Sequence, residues 1–107
     1  MSERPRPAPS EIGPERKGPL FPLGQTVATP GALEALGQAG ESPAPYLDRH
    51  QRGDWGDLDD LDKQANEDAL VHGARLLSAY VLTTSERMWI ITEADRSYTT
   101  LLLPEEY

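Results

Sequence analysis

A chain of 107 residues with a net charge of −8 and no cysteine is bounded before any motif is read. It has room for one small core rather than a large enzymatic cleft. Its acidity opposes the clustered Lys and Arg that binding to phosphates demands, and the lack of thiols excludes disulfides, thiolate catalysis, cysteine-ligated zinc and iron–sulfur clusters.

Apolar runs are short and the opening residues have no apolar signal-peptide region, so a soluble cytoplasmic protein without a membrane span is expected. Residues 1–22, MSERPRPAPSEIGPERKGPLFP, hold six of the ten prolines. Proline gives no ladder hydrogen bond, and the segment offers little apolar surface, which predicts a flexible tail. Pro5, Pro7 and Pro9 lack P-x-x-P spacing, so the tail reads as a spacer. Residues 23–107 then form a single small α+β domain. Residues 1–24 carry four basic and three acidic side chains, leaving six basic against fifteen acidic in residues 25–107, a net −9.

In QTVATPGALEALGQAG, Val27 sits in a short candidate strand, Thr29 is a helix cap, and Pro30 suits the first helical position. Leu33 and Leu36 follow at helical spacing, predicting a helix over 30–39 ended by Gly40. ESPAPYLDRHQRG predicts a second helix, capped by Ser42, with Tyr46 and Leu47 inward and Gly53 as terminator. A third begins after Asp59, where Asp60 and Asp62 meet the positive end of the helix dipole, and closes at Gly73. Steps of about 100° place Leu58, Leu61, Ala65, Ala69 and His72 on its expected buried stripe, with Leu70 off it.

Beyond Gly73 the period shifts towards two. ARLLSAYVLTT, MWIITE and YTTLLLP, separated by TSER and ADRS, predict a three-stranded antiparallel meander packed against these helices. Its two faces are both apolar: Leu76, Tyr80 and Leu82 oppose Leu77, Ala79 and Val81, while Met88 and Ile90 oppose Trp89 and Ile91. A meander with one wet face alternates more cleanly. Cover for the second face is therefore expected from the Leu20–Leu23 segment, from the helices or from another protein.

Few constellations suggest chemistry. The acidic run around GDWGDLDDLD fails the EF-hand pattern: from Asp57, Leu61 falls at the fifth ligand position and Asp62 where glycine belongs. His50 and His72 lack metal-ligand neighbours, and Ser78, Ser85 and Ser97 lack a nucleophile-elbow context. No catalytic residue, metal or cofactor is expected. The run is too short for a whole-duplex DNA mimic but suits patch recognition by a basic protein. Gly53 and Gly56 let the backbone turn sharply around Trp55, either as an anchor folded over the helices or as an exposed hot spot in an acidic rim. The candidate partner-binding residues are thus Asp54, Trp55, Asp57, Asp59, Asp60 and Asp62, with Trp89 on the second sheet face.

FPLGQTVATPGALEAL, GDWGDLDDLDKQANEDAL and WIITEADRSYTTLLLPEEY together resemble a family of short proteins of bacterial plasmids, integrated elements and phages. The likeness covers residues 21–107 and is strongest in GDWGDLD and ITEADRS. It implies a mobile-element accessory role, although a restriction or methyltransferase label would need a nucleotide loop that this chain lacks. The expected function is a non-catalytic interaction module whose partner is a second copy of itself or a basic host or plasmid protein, without direct nucleic-acid or membrane binding. The alternative is an acidic inhibitor of a DNA-binding defence enzyme.

Overall fold

The computed structural model describes residues 18–107; the tail expected over 1–22 lies, as far as residue 17, outside the described residues. Strand β1 (Gln25–Ala28) leads into helices α1 (Pro30–Ala39), α2 (Pro43–Gln51) and α3 (Asp60–His72). Strands β2 (Leu76–Val81), β3 (Arg87–Thr92) and β4 (Tyr98–Leu102) and a 3-10 turn (Pro104–Glu106) follow. The fold is α+β, and the boundaries of α1 and α3 are set by the residues read as caps. The Thr29 hydroxyl accepts from the Ala32 N–H at 3.1 Å and the Asp59 carboxylate from the Asp62 N–H at 2.8 Å, each satisfying one of the amides a helix start leaves unpaired. Gly40 and Gly73 close α1 and α3 in the left-handed conformation. Ser42 stands at the N-cap of α2, but its hydroxyl makes no capping bond.

The expected meander is present, β2 pairing β3 and β3 pairing β4 antiparallel. It is not the whole sheet. Strand β1 adds a fourth member in parallel with β4, from Gln25↔Tyr98 to Ala28↔Leu101, giving the order β1-β4-β3-β2. Periodicity reports on a strand's own faces and carries no trace of a parallel partner so distant in the chain. Gly24 permits the approach: its φ is 65°, and a Cβ there would lie 2.3 Å from the Ser97 carbonyl oxygen.

One face of the sheet holds the main core. Ala32, Ala35 and Leu36 of α1 pack on Tyr80, Met88, Ile90 and Leu101, with Tyr46 and Leu47 of α2 at the margin. A second cluster joins Phe21, Trp55 and Ala69 to Leu76. Phe21, grouped with the tail by its sequence neighbours, is therefore part of the fold, stacked on Trp55 with ring centroids 6.4 Å apart.

Helix α3 departs from its expected orientation. Leu61 is 82% exposed, Ala65 and His72 also face solvent, and the buried positions are Asn66 and Ala69, with Leu70 packed against the second cluster. A polar contact sets the rotation. The Asn66 side chain donates to the Leu77 carbonyl at 2.6 Å and accepts from the Leu77 N–H at 3.1 Å. Two bonds to a strand edge outweigh the burial of one leucine on a helix with so few apolar residues.

Candidate interaction surface

The acidic run lies along the outer edge of β2. There the Trp55 carbonyl accepts from the Ala79 N–H at 3.1 Å and the Asp57 N–H donates to the Ala79 carbonyl at 2.6 Å, a single parallel bridge centred on Gly56. Residue 56 must be glycine, because its φ is 79° and a Cβ would meet the Ala79 carbonyl oxygen at 2.0 Å. With Asn66 holding Leu77, this bridge seals an edge that would otherwise present unpaired groups.

Within that clamp Trp55 is the anchor, not an exposed hot spot. It is 3% exposed, its ring stacks with Phe21 and meets His50 edge-on, and its Nε1–H donates to Glu67 Oε2 at 3.0 Å. A ring this large is fixed where its apolar area is buried and its one donor satisfied. The carboxylates are engaged locally as well. Asp54 pairs with Arg49 at 2.7 Å and Asp57 with Arg87 at 2.6 Å, while Asp59 caps α3. Asp60 and Asp62 face solvent in its first turn. Among the described residues no group of His, Asp or Glu is placed to hold a metal ion.

Trp89 occupies the sheet's second face. Strand alternation and register put Val27, Thr100, Ile91 and Leu77 in one row across all four strands, and Leu102, Trp89 and Ala79 in the next. All the core helix contacts described above fall on the opposite face or at the β2 edge. Among the described residues the second face is closed in part, by the C-terminal turn. Tyr107 lies edge-on to Trp89 at 5.7 Å and accepts through its hydroxyl from Arg75 Nη1 at 2.7 Å. Ala79, Ile91 and Leu102 on this face are buried. Val81 remains 48% and Tyr107 70% exposed, and Trp89 and Leu77 are half-buried.

A polar chain that the sequence reading missed runs through the core. His50 Nδ1 lies 2.6 Å from Ser78 Oγ, and Nε2 lies 2.9 Å from Thr92 Oγ1. Thr92 Oγ1 is 2.7 Å from Thr99 Oγ1, which donates to the Leu23 carbonyl at 2.8 Å. Each hydroxyl has one proton, so the Leu23 bond, together with a ring that burial keeps neutral, fixes every direction. Thr99 must accept from Thr92, Thr92 from His50 Nε2–H, and His50 Nδ1 from Ser78. The ring is the neutral Nε2–H tautomer. This resembles a nucleophile, base and orienting group, yet all four side chains have zero exposure, so no substrate reaches Ser78 as the chain is folded. The available signal was three hydroxyls, Ser78, Thr92 and Thr99, on the otherwise apolar helix-facing side of the sheet, each requiring a buried partner. Compared with family models, curated proteins and solved structures, the chain matches none.

Proposed function

We propose that this protein is a non-catalytic accessory protein of a mobile genetic element, acting in the cytoplasm as a small protein-binding module. In this reading a protein partner docks on the second sheet face around Trp89. The observation that carries it is the contrast between the two faces among the described residues: helices pack on one, whereas the other carries the Trp89–Tyr107 layer and leaves Val81 open. Exposed aromatic and aliphatic side chains grouped on a rigid sheet suit a docking surface. The mobile-element assignment rests on the resemblance over residues 21–107. No helix among the described residues is long and apolar enough to cross a membrane.

The test is quantitative capture of partners from a bacterial host by the native chain and by Val81→Ser combined with Tyr107→Ser. Both positions are exposed, so the melting temperature should hold while a specific partner is retained at least about tenfold less, the equivalent of ~1.4 kcal/mol. Equal retention by a folded double variant would refute docking at this face. The defence-inhibitor alternative relies on the acidic run, where Asp54, Asp57 and Asp59 already serve the fold. Asp60 and Asp62 alone make a short row against the phosphates of a duplex.

A further inference from the structure

The sheet's two edges are treated differently. On the β2 side the Trp55–Asp57 bridge and Asn66 occupy the backbone groups of Ala79 and Leu77. On the β1 side nothing comparable is present among the described residues. Gln25 donates to the Ser97 carbonyl at 3.0 Å and Thr29 to the Leu101 carbonyl at 2.9 Å. In a parallel ladder alternate residues serve the same neighbour, so Gln25, Val27 and Thr29 face β4 while Thr26 and Ala28 turn their N–H and C=O outward. Thr26 and Val27 are exposed and Ala28 is half-buried.

The usual protections of such an edge are a charged side chain, a bulge, an inserted proline or a cover. Strand β1, Gln-Thr-Val-Ala, is only four residues long, but it carries no charged side chain, and among the described residues it has no bulge, inserted proline or cover. Moreover, residues 18–33 contain no charged side chain, in a chain whose residues 25–107 carry a net −9. The Glu106 carboxylate, which accepts from the Gly31 N–H at 3.1 Å and from the Thr29 hydroxyl, is the acid placed at the end of this rim, so two copies repel each other less here than across the more acidic parts of the surface.

We infer that β1 pairs antiparallel with β1 of a second copy about a twofold axis through Val27, joining two four-stranded sheets into one of eight strands. The geometry is self-complementary. With Val27 opposite the partner's Val27, Thr26 lies opposite the partner's Ala28, and each outward N–H and C=O meets its complement. The two valines form the close, non-hydrogen-bonded kind of cross-strand pair, with Cα atoms about 4.5 Å apart, and β-branched side chains favour that contact. This interface is made by the outward backbone groups of the β1 edge; the Val27 side chain shares the Trp89 face, but the pairing does not depend on that face's role.

The native chain has no cysteine, so Val27→Cys introduces one thiol at the axis, at a separation within the disulfide range. The native chain should sediment as a concentration-dependent dimer, and Val27→Cys should form a disulfide-linked dimer under mild oxidation much faster than Val81→Cys. Thr26→Pro removes an outward donor while leaving the β4 ladder intact, and Val27→Lys sets like charges across the axis. Each should lower the association constant at least about tenfold, or ~1.4 kcal/mol, with an unchanged circular dichroism spectrum. Val81→Ser with Tyr107→Ser should dimerise as the native chain does. A native chain that stays monomeric at all concentrations, or equal cross-linking at positions 27 and 81, would overturn the inference. So would a monomer whose Thr26 and Ala28 amides gain exchange protection only from another protein's extended segment.

Discussion

Protonating His50 would place a cation among Phe21, Trp55 and three hydroxyls whose protons are already committed. Burial first, and then the nearby positive charge of Arg96, depress its pKa from 6.5 to about 3. The unfolded chain therefore takes up a proton that the native state refuses. The resulting stability is present in full above pH 6.5 and declines as pH falls from there towards 3. At pH 5 the loss should be about 2 kcal/mol relative to pH 7, read from urea unfolding at the two pH values. His50→Gln should be less stable at pH 7 and should show a flatter dependence over that interval; an unchanged slope would remove His50 as its cause. The same residue shows where reading by type stops. Both histidines were visible in the sequence, but which one was buried depended on β2, β3 and the Leu23 carbonyl coming together. The sharp turn at Trp55 was legible from its two flanking glycines, but the choice between a buried anchor and an exposed hot spot was settled by contacts with Phe21, His50 and Glu67. Its neighbour Phe21 was legible only as a candidate cover for the sheet, since the prolines around it also placed it in the tail, and its stacking on Trp55 depends on a contact across the fold.

At the level of elements, the wording of GDWGDLD has a mechanical explanation. Gly53 and Gly56 supply positive φ angles, the Asp54 carbonyl accepts from the Tyr80 hydroxyl at 2.7 Å, Trp55 and Asp57 bracket Ala79, and Asp59 starts α3. ADRS is comparable. Arg96 adopts a φ of 61° and donates to the carbonyls of Ala69, Ala74, Glu93 and Ala94, tying the end of α3 to the β3–β4 turn. Arg96→Ala should cost about 2–4 kcal/mol, as several charge-assisted bonds vanish together. Asn66→Ala should cost about 1–3 kcal/mol by leaving the Leu77 groups unpaired; chemical denaturation checks both. A loss below experimental error for Asn66→Ala would mean that the edge is held by the Gly56 bridge alone. Caps and helix limits were readable because they are local, a side chain bonding an amide three residues on. The rotation of α3 was not, because its deciding contact reaches across to β2.

For the whole molecule, two apolar sheet faces follow from simple alternation in β2 to β4, and each needs a cover. The helices take one. On the other, the chain's own C-terminal tyrosine covers the centre and leaves the margins, a solution that no periodicity in β2 to β4 could reveal. Deleting Tyr107 should expose Trp89, shifting its fluorescence to longer wavelength without unfolding the sheet; an unchanged spectrum would show that the ring contact contributes nothing in solution. The parallel position of β1 has a larger consequence. A ribbon with both rims free could recruit copies without end, as fibrils do. Here the GDWGDLD stitch occupies one rim, so under the pairing proposed for β1 growth through the other would be exhausted by a single addition, and the assembly would close on itself as a finite pair instead of propagating into a filament.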